Sequence, residues 1–535
     1  MILIHPPVVK PCQPPAGIAK LAGVMNHHNV RCAVMDANSE GIASILHSQA
    51  VSPFSEPSSK GGSVAGDPPD RWTMRARRHL QNNITALTSW STYGNVNCYK
   101  QAVIDVNHVL EMSSPLRNIR LNLSNYLDRG YSPVKSADLI RMSEMPERNP
   151  FYPYFKKRLF PLLEREQPAV VGFSLNYLSQ AMCTFSMVGM VKREYPGVKI
   201  VLGGGLVTSW MSRPGWTNPF QGFIDEMVAG PGEDTLLSMF GIHRGEDHVI
   251  PDYSLLNQGS YLSPGPILPY SASSGCYWNR CSFCPERAEG NPYRPVNVNR
   301  VLSDLDALVA KYEPLLIHLL DNAISPALLE ALTVRSPSVP WYGFARISPL
   351  LADLQFCMAL RRSGCVMLQL GVESGDQRVL DAMGKGFDLE TASNVLNTLK
   401  AAGIATYVYL IFGTPSETIE EARKTLNFTV THARKIDFLN LAIFNLPANS
   451  PEGKELERGN FYEGDLTLYR SFKHPKGWDR HLVRKFLNGE FRKHPAIASI
   501  VRQSPPLFTS NHAPLFILHR QWRKECEREK KGYGA

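Results

Sequence analysis

The sequence predicts an α/β protein with a doubly wound N-terminal domain, a partial (β/α)6 barrel and a small, mostly helical C-terminal region. Three observations predict this fold class. Short apolar runs alternate with segments of helical periodicity along most of the chain. One turn-rich stretch interrupts the alternation near the N-terminus. At 535 residues, the chain is too long for a single ordinary domain.

The first domain is expected over residues 1–250. MILIHPPV begins as a strand, GIAKLAGVMNHHN has helical spacing, and VRCAVMDAN is a second strand. The alternation returns in PAVVGFSLNYLSQ, VKIVLGGGLVTSW and GFIDEMVAGPGEDTLLSMF. Because β-α-β units favour parallel pairing, these segments predict one parallel sheet. An insertion is expected at about 48–150, with a loop at 52–70 and mostly helix at about 71–129.

The second domain is expected over residues 251–450. Six strands are predicted, each followed by a helix except for the last: ILPYSAS, LLIHLLDN, VPWYGFARI, CVMLQLGVES, IATYVYLIFG and DFLNLAIFNL. This order is typical of a parallel barrel or partial barrel.

The remaining residues, 451–535, are expected to form the basic C-terminal region. From residue 471 onward, fourteen Lys and Arg side chains stand against five Asp and Glu. The net charge of this tail therefore equals the +9 of the whole chain. The tail could attract a polyanion, but acidic residues interleave with basic ones in QWRKECEREKKG. We therefore favour a solvated helical face over a nucleic-acid site.

Composition narrows the function classes. The chain is 43% hydrophobic and 20% charged, as expected of a soluble globular protein. It contains no apolar run long enough to span a membrane, and the first residues lack the pattern of a signal peptide. A cytoplasmic location is therefore expected. Ten cysteines are too few for a disulfide scaffold, so a local cysteine cluster favours metal or redox chemistry.

Such a cluster occurs in GCYWNRCSFCPE. Cys276, Cys281 and Cys284 are separated by gaps of four and two residues, and no fourth Cys and no His lies within twenty residues after Cys284. Structural zinc sites use four ligands, and most cubane iron–sulfur clusters use four thiolates. Three thiolates on four irons leave one iron open to a small-molecule ligand. A zinc-binding interaction protein with a distant fourth ligand remains the alternative.

The cysteine pattern resembles the cluster loop of the radical S-adenosylmethionine (SAM) superfamily. The commonest first gap in that family has three residues, and the four-residue gap resembles a variant in cobalamin-binding branches. The loop also follows the first predicted barrel strand, at the barrel face where active sites lie. This resemblance implies a [4Fe–4S] cluster on the three cysteines and SAM as the ligand of the open iron. It also implies SAM contacts from Phe283, Asp321, Asn322, Arg346, Glu373, Ser374, Gly413, Thr414 and Pro415.

The N-terminal domain is similar to a cobalamin-binding domain. GGGLVTSW lacks the G-x-G-x-x-G spacing and the immediate helix of a dinucleotide site. The resemblance instead implies a cleft for the corrinoid tail. Its residues would be Ser174, Leu175, Ser179, Gly203, Gly204, Gly205, Thr208, Ser209, Gly230, Gly232 and Glu233. The segment HPPVVKPCQPPAGIAKLAG lacks the Asp-x-His-x-x-Gly motif, which leaves the lower ligand of cobalt open.

Together these resemblances imply a cobalamin-dependent radical SAM enzyme that methylates an unactivated carbon. A cyclase or rearrangement enzyme, or an RNA-modifying enzyme of the methylthiotransferase type, is the alternative. The expected partners are a small-molecule or peptide substrate and an electron donor of the flavodoxin or ferredoxin type, without membrane or nucleic acid. No side chain is assigned as a catalytic acid, base or nucleophile, because the cofactors would carry the bond-breaking steps.

Overall fold

The computed structural model describes residues 1–51, 70–114, 116, 118–243, 245, 248–459 and 464–532. The predicted loop at 52–70 therefore lies outside the described residues except for its last position. The chain divides into two compact units. The first comprises Met1–Met211, Trp216–Pro264 and Gly464–Leu466, and the second comprises Ser212–Gly215, Gly265–Glu463 and Thr467–Ala535.

A parallel sheet forms the centre of the first unit. The strands described in this unit are β1 (Ile2–His5), β2 (Ala33–Asp36), β3 (Ile119–Asn122), β4 (Asn125–Asp128), β5 (Val170–Ser174), β6 (Lys199–Gly203) and β7 (Glu226–Val228). The sheet has the order β2-β1-β5-β6-β7, and all of its pairs are parallel. The strand order changes direction between β1 and β5, which makes the sheet doubly wound. The predicted fold class of this part is confirmed.

Helices flank this sheet. Strand β1 is buried along its whole length, as expected of a parallel sheet covered on both faces. The α-helices of the unit are Ala16–His27, Ala37–Val51, Arg71–Arg78, Leu80–Leu87, Val96–Ser113, Ser136–Glu144, Tyr152–Glu166, Leu178–Glu194, Gly205–Met211 and Glu233–Ser238.

The structure departs from two local predictions in this unit. The segment 71–129 is helical only as far as Ser113, and β3 and β4 then form an antiparallel hairpin. The cause is visible in IRLN, where buried Ile119 and Leu121 alternate with exposed Arg120. A helix also begins at Gly205, directly after β6, where none was expected. Its first amide is capped by a side chain from another loop, a contact that local sequence does not reveal.

A second parallel sheet forms the centre of the other unit. Its described strands are β8 (Ile267–Tyr270), β9 (Ser273–Ser274), β10 (Arg294–Pro295), β11 (Leu316–Leu319), β12 (Trp341–Ala345), β13 (Cys365–Glu373), β14 (Ala405–Phe412), β15 (Phe438–Ile443), β16 (Leu446–Pro447), β17 (Arg458–Gly459) and β18 (Tyr469–Phe472). The order β8-β11-β12-β13-β14-β15 is parallel throughout, which confirms the predicted partial barrel. Since the strands are parallel, their carboxyl ends share one edge.

The C-terminal region is mostly helical, as predicted, and adds a small antiparallel sheet in the order β16-β18-β17. No helix within the described ranges is both long and apolar enough to cross a membrane. The helices of the second unit are Pro285–Ala288, Val298–Tyr312, Pro326–Val334, Leu354–Arg362, Gln377–Ala382, Leu389–Ala402, Ile419–Thr431, Arg480–Phe486, the π-helix Leu487–Phe491, Pro495–Val501 and Ala513–Gly532.

The packing of helix Leu178–Glu194 gives a test of the first unit. A Cβ on Gly189 would lie 1.8 Å from the Ser143 carbonyl oxygen, whereas a Cβ on Gly197 would meet no atom within 4 Å. We expect Gly189→Ala to lower the free energy of unfolding by about 2–3 kcal/mol, because backbone must move. The matched Gly197→Ala should change it by less than about 0.5 kcal/mol. Denaturant unfolding followed by circular dichroism measures both values, and equal midpoints would contradict the packing.

Candidate active site

The cysteine loop follows β8 and is closed at its base by the short pair β9 and β10. Gly275 precedes the first cysteine with a φ of 72°, in the left-handed region that favours glycine. A Cβ at this position would lie 2.5 Å from the Pro292 carbonyl oxygen on the returning side of the loop. Only glycine therefore allows the two sides to approach. Cys276, Cys281 and Cys284 are all free and partly exposed.

The four-residue gap between the first two cysteines holds Trp278 and Arg280. The Trp278 indole Nε1 donates a hydrogen bond to the Gly384 carbonyl oxygen over 2.9 Å. The guanidinium of Arg346 lies 3.8 Å from the centre of the same indole, and that of Arg280 lies 5.0 Å from it. The wide gap thus contains an aromatic anchor with two cation–π contacts.

The segment 383–386 forms the seat of the cysteine loop. The Ser282 amide donates to the Met383 carbonyl oxygen over 2.9 Å. A Cβ on Gly386 would lie 2.1 Å from the Trp278 ring, so the loop packs directly on the backbone of the seat. The structure thus reveals a functional segment that sequence reasoning missed. The one local signal for it is MGKG, with two glycines around a lysine immediately after a helix.

Lys385 in the middle of the seat forms a buried ion pair with Glu373. Lys385 Nζ and Glu373 Oε1 are 3.2 Å apart, and both side chains are less than 9% exposed. Glu373 ends β13 with a φ of 66°, which strains a residue that has a side chain. Burial raises the pKa of Glu373, and the Lys385 ammonium offsets this shift only in part. The same ammonium lies 5.5 Å from the centre of the Phe283 ring.

The cysteine thiols fit a [4Fe–4S] cluster by their donor chemistry. Burial raises the pKa of Cys284 to about 11 and that of Cys281 above its ordinary value. The cations of Lys385 and Arg346 act on Cys281 in the opposite direction and favour its thiolate. In the described part of the chain, no three His, Cys, Asp or Glu side chains are grouped to hold a single metal ion. In a cubane, by contrast, each thiolate binds a different iron.

Asp321 and Asn322, at the end of β11, contact the cysteine loop. Asp321 is 3% exposed; its Oδ2 accepts from the Ala272 amide over 3.1 Å, and its Oδ1 accepts from the Ser273 hydroxyl. Burial raises the pKa of Asp321. Asn322 Nδ2 donates to the Gly275 carbonyl oxygen over 3.1 Å. Both side chains therefore brace the start of the loop, and direct SAM contacts from them stay a prediction.

Ser374 lies away from any open surface. It is fully buried, and its hydroxyl lies 3.2 Å from the Thr425 hydroxyl and accepts from the Asp376 amide. Its structural role is thus to hold the turn after β13 against helix Ile419–Thr431.

Arg346, which follows β12, contacts the seat. Its Nη2 donates to the Lys385 carbonyl oxygen over 2.6 Å.

The turn 413–417 follows β14 and contains Gly413, Thr414 and Pro415. Gly413 has a φ of 81°, and its amide donates to the Glu417 carboxylate. Thr414 is 3% exposed. Burial raises the pKa of Glu417 to about 7, although Trp478 Nε1 also donates to this carboxylate over 2.9 Å. Glu417 is the key residue of the turn that sequence reasoning missed.

In the first unit, the glycine-rich turn after β6 is tied to the loop after β5. Gly204 has a φ of 111°, and a Cβ there would lie 2.5 Å from the Leu175 carbonyl oxygen. Asn176 links the two loops, since its Nδ2 donates to the Ser174 hydroxyl over 3.0 Å and its Oδ1 accepts from the Gly205 amide over 3.0 Å. The Leu175 side chain is fully buried, so only the backbone of Leu175 contacts the glycine-rich turn.

A second link joins the loops after β1 and β5, where the strand order changes direction. Gln180 Nε2 donates to the Pro6 carbonyl oxygen over 2.7 Å, and its Oε1 accepts from the Asn176 and Tyr177 amides. The Ser179 hydroxyl donates to the Val8 carbonyl oxygen over 2.7 Å. Asn176 and Gln180 were missed from sequence, although both are polar residues just beyond a strand end.

The other predicted residues of this unit divide into two groups. Thr208 lies at the glycine-rich turn, where its Oγ1 accepts from the Gly230 amide over 2.9 Å and donates to the Gly204 carbonyl oxygen over 3.1 Å. The Ser209 hydroxyl donates to the Gly205 carbonyl oxygen of the same helix over 3.1 Å. Gly232 caps helix Glu233–Ser238, and buried Glu233 pairs with Lys20 Nζ at 2.7 Å. Glu233 therefore braces helix Ala16–His27, and a contact from it to a ligand stays a prediction.

Comparisons with known proteins identify the part of the chain that holds the cysteine loop and the second parallel sheet. Residues 270–429 match the family model described as the radical SAM superfamily. Residues 270–429 are therefore a radical SAM domain. The predicted family and enzyme class are thereby confirmed, and so are the [4Fe–4S] cluster and SAM as its cofactors.

Known proteins similar to this chain cover different shares of it. A match of 28% identity over 328 residues covers 54% of it and 69% of an uncharacterized methyltransferase of Pyrococcus horikoshii. A match of 26% identity over 212 residues covers 37% of it and 36% of the anaerobic magnesium-protoporphyrin IX monomethyl ester cyclase of Rubrivivax gelatinosus. The fold is similar to that of the radical SAM methyltransferase TsrM of Kitasatospora setae, with a TM-score of 0.56, 15% identity, and coverage of 100% and 99% of the two chains.

The seat of the radical SAM cysteine loop predicts the effect of one methyl group. Gly386→Ala would place a Cβ 2.1 Å from Trp278 Cζ2, whereas Gly403→Ala has a similarly left-handed φ of 77° but open space around the Cβ. We expect Gly386→Ala to reduce the iron bound after anaerobic reconstitution by about half or more. The added methyl group would push Trp278 and the cysteine loop away from the closely packed seat. Gly403→Ala should load like the wild type, and equal iron contents in the two variants would contradict the seat.

The buried Glu417 predicts a pH dependence of stability. Because its folded pKa of about 7 exceeds the unfolded value of about 4.3, its contribution to stability is complete at low pH and is lost as pH rises through 7. Glu417→Gln does not titrate. Its free energy of unfolding should therefore rise relative to wild type between pH 5 and pH 8, by on the order of 2 kcal/mol.

The matched control is Glu420→Gln, three residues later in the first turn of helix Ile419–Thr431. A hydrogen bond from Thr418 lowers the pKa of Glu420, so this carboxylate stays charged over the same pH range in both states. Denaturant unfolding at several pH values measures both variants. A constant difference between Glu417→Gln and wild type would show that Glu417 ionises normally.

Proposed function

We propose that this chain is a cobalamin-dependent radical SAM enzyme that transfers a methyl group to an unactivated carbon. One observation carries the proposal: a doubly wound sheet with a glycine-rich turn beside its switch point shares a chain with the radical SAM cysteine loop. Ligands of such sheets bind beyond the carboxyl ends of the strands at the switch point. When bound, the cluster and SAM would supply a 5′-deoxyadenosyl radical, and methylcobalamin would supply the methyl group.

In this function, the cysteine loop binds the cluster and the seat orients it. Cys276, Cys281 and Cys284 are the proposed iron ligands. Lys385 and Arg346 provide positive charge beside the thiolates, which offsets their buried negative charge. The turn 413–417 is proposed to accept the adenine of SAM, and its glycine at a positive φ allows close approach of the ligand to backbone.

The proposed corrinoid site uses the backbone around β5 and β6. Gly204 and Gly205 present no side chain, and Asn176 holds their turn against the Ser174 loop. Thr208 and Gly230 extend the same surface, since no protein atom lies within 4 Å of a Cβ built on Gly230. Residues 6–15 after β1 contain no histidine. We therefore propose cobalt without a histidine ligand from that loop.

Methyl transfer is preferred over methylthio transfer to RNA because of the cysteines. A methylthiotransferase carries a second cysteine triad in its N-terminal domain. Here Cys12 and Cys183 are fully buried, and burial raises the pKa of each to about 12. Cys32 lies in the loop directly before β2, and Cys98 lies in helix Val96–Ser113. Cyclisation or rearrangement is kept as an outcome of the experiment, since relatives include a cyclase. The substrate, the flavodoxin- or ferredoxin-type donor and the cytoplasmic location stay predictions.

Anaerobic reconstitution tests the cofactor assignments. We expect the wild type to bind about four irons and Cys281→Ala to bind far fewer. Cys98→Ala should bind as much iron as the wild type, because Cys98 is exposed on helix Val96–Ser113 of the first unit. Hydroxocobalamin should bind to wild type and to Gly222→Ala, which has a φ of 89° and open space, but at least about tenfold more weakly to Gly204→Ala. One zinc per chain without iron, or no corrinoid binding, would overturn the assignment concerned.

Turnover with methyl-labelled SAM then tests the reaction. Reduced, cobalamin-loaded enzyme is incubated with small-molecule and peptide fractions of a cell extract. Label in a new carbon–methyl bond, absent with Cys281→Ala, is the expected result. Formation of 5′-deoxyadenosine with an unlabelled, rearranged product would replace methyl transfer by the cyclase alternative.

A further inference from the structure

A C-terminal segment, the strap His474–Arg480, is bonded to the turn 413–417. His474 Nε2 lies 2.8 Å from the Thr414 carbonyl oxygen. Trp478 Nε1 donates to Glu417 Oε2 over 2.9 Å. The Lys476 ammonium adds a bond to the Ser416 carbonyl oxygen over 2.5 Å. Three side chains of this seven-residue segment thus bond to the same turn, which lies about sixty residues earlier in the sequence.

The hydrogen bonds of His474 fix its tautomer. Its Nδ1 accepts from the Lys476 and Trp478 amides, each over 3.2 Å. Nδ1 therefore carries no proton, and the proton on Nε2 is donated to Thr414. Burial lowers the pKa of His474, so the neutral form persists at neutral pH. One imidazole thus shapes the strap and bonds it to the turn.

The strap also contacts the end of the next strand. Arg480 Nη1 donates to the Phe444 carbonyl oxygen over 2.9 Å and to Asn445 Oδ1 over 2.6 Å, just beyond β15. Below the turn, Val483 lies close to Gly413, since a Cβ built on that glycine would be 3.1 Å from Val483 Cγ2. The strap therefore connects the carboxyl ends of two neighbouring barrel strands, and the helix that follows it packs against the glycine after β14.

We propose that the strap positions the turn 413–417 for the adenine of SAM, so that the C-terminal region is part of the SAM site. This inference rests on the proposed function of that turn. Strap residues bond directly to two backbone carbonyl oxygens of the turn and to the buried Glu417 carboxylate. Glu417 also accepts from the Gly413 amide, so the strap holds that amide through Glu417. His474 and Trp478 are positioning residues, because they bond to the turn and act on the ligand through it.

The test compares ligands that contain adenine with one that lacks it. Trp478→Phe removes the indole donor and keeps an aromatic ring near Phe486. His474→Ala removes the bond to Thr414. The matched control is Trp522→Phe, which changes a half-exposed tryptophan of helix Ala513–Gly532. The affinities of SAM, of S-adenosylhomocysteine and of methionine are measured with cluster-loaded protein, together with iron content and circular dichroism.

We expect Trp478→Phe and His474→Ala to weaken SAM and S-adenosylhomocysteine by about tenfold, the effect of one lost buried hydrogen bond. Methionine affinity and iron content should equal those of wild type and Trp522→Phe. Unchanged SAM affinity, or an equal loss for methionine, would overturn the role of the strap. If His474→Ala fails to fold, Trp478→Phe and Lys476→Met still decide the question. Failure of the proposed function differs from all of these results, because wild type itself would bind no cluster or no SAM.

Discussion

The contact between the Trp278 indole and the seat 383–386 is the constraint on which the candidate site depends. The cysteine loop has little secondary structure of its own, and its position is set by hydrogen bonds to a segment 106 residues later. Gly384 and Gly386 allow this approach because each would otherwise place a Cβ against the loop. The four-residue gap between Cys276 and Cys281 therefore has a structural reason, since it supplies the tryptophan that reaches the seat.

The same seat determines the charge around the thiols. Burying the Lys385–Glu373 pair costs desolvation energy that its single 3.2 Å contact only partly offsets. The pair also requires glycine at 371, where a Cβ would lie 2.3 Å from the Glu373 carboxylate. A hydrophobic pair would fold at least as well in such a place. Its presence is consistent with a function in the site, because a buried cation beside Cys281 stabilises negative charge on sulfur.

The sequence was sufficient where a feature depends on local pattern and insufficient where it depends on distant contacts. Apolar runs predicted the parallel strands, and the cysteine spacing predicted the cluster loop. The hairpin β3–β4 was missed although its alternation is local, because the surrounding segment is helical. Lys385, Gln180 and the strap could not be found in this way. Their partners lie on other elements, and a lysine, glutamine or histidine alone has no distinctive spacing.

The polar residues at strand ends show what such a pattern can and cannot identify. Asp321, Ser374 and Glu233 were all predicted to bind a ligand, yet each is buried and bonded to protein groups. A side chain that satisfies backbone amides at the end of a parallel strand fixes the loop that follows, and the loop then presents its own backbone. Strand-end polar residues thus mark the functional edge of each sheet. The ligand contacts proposed at that edge come from the thiols, the Lys385 and Arg346 cations and the glycine-containing turns, and the proposed strap acts through one of these turns.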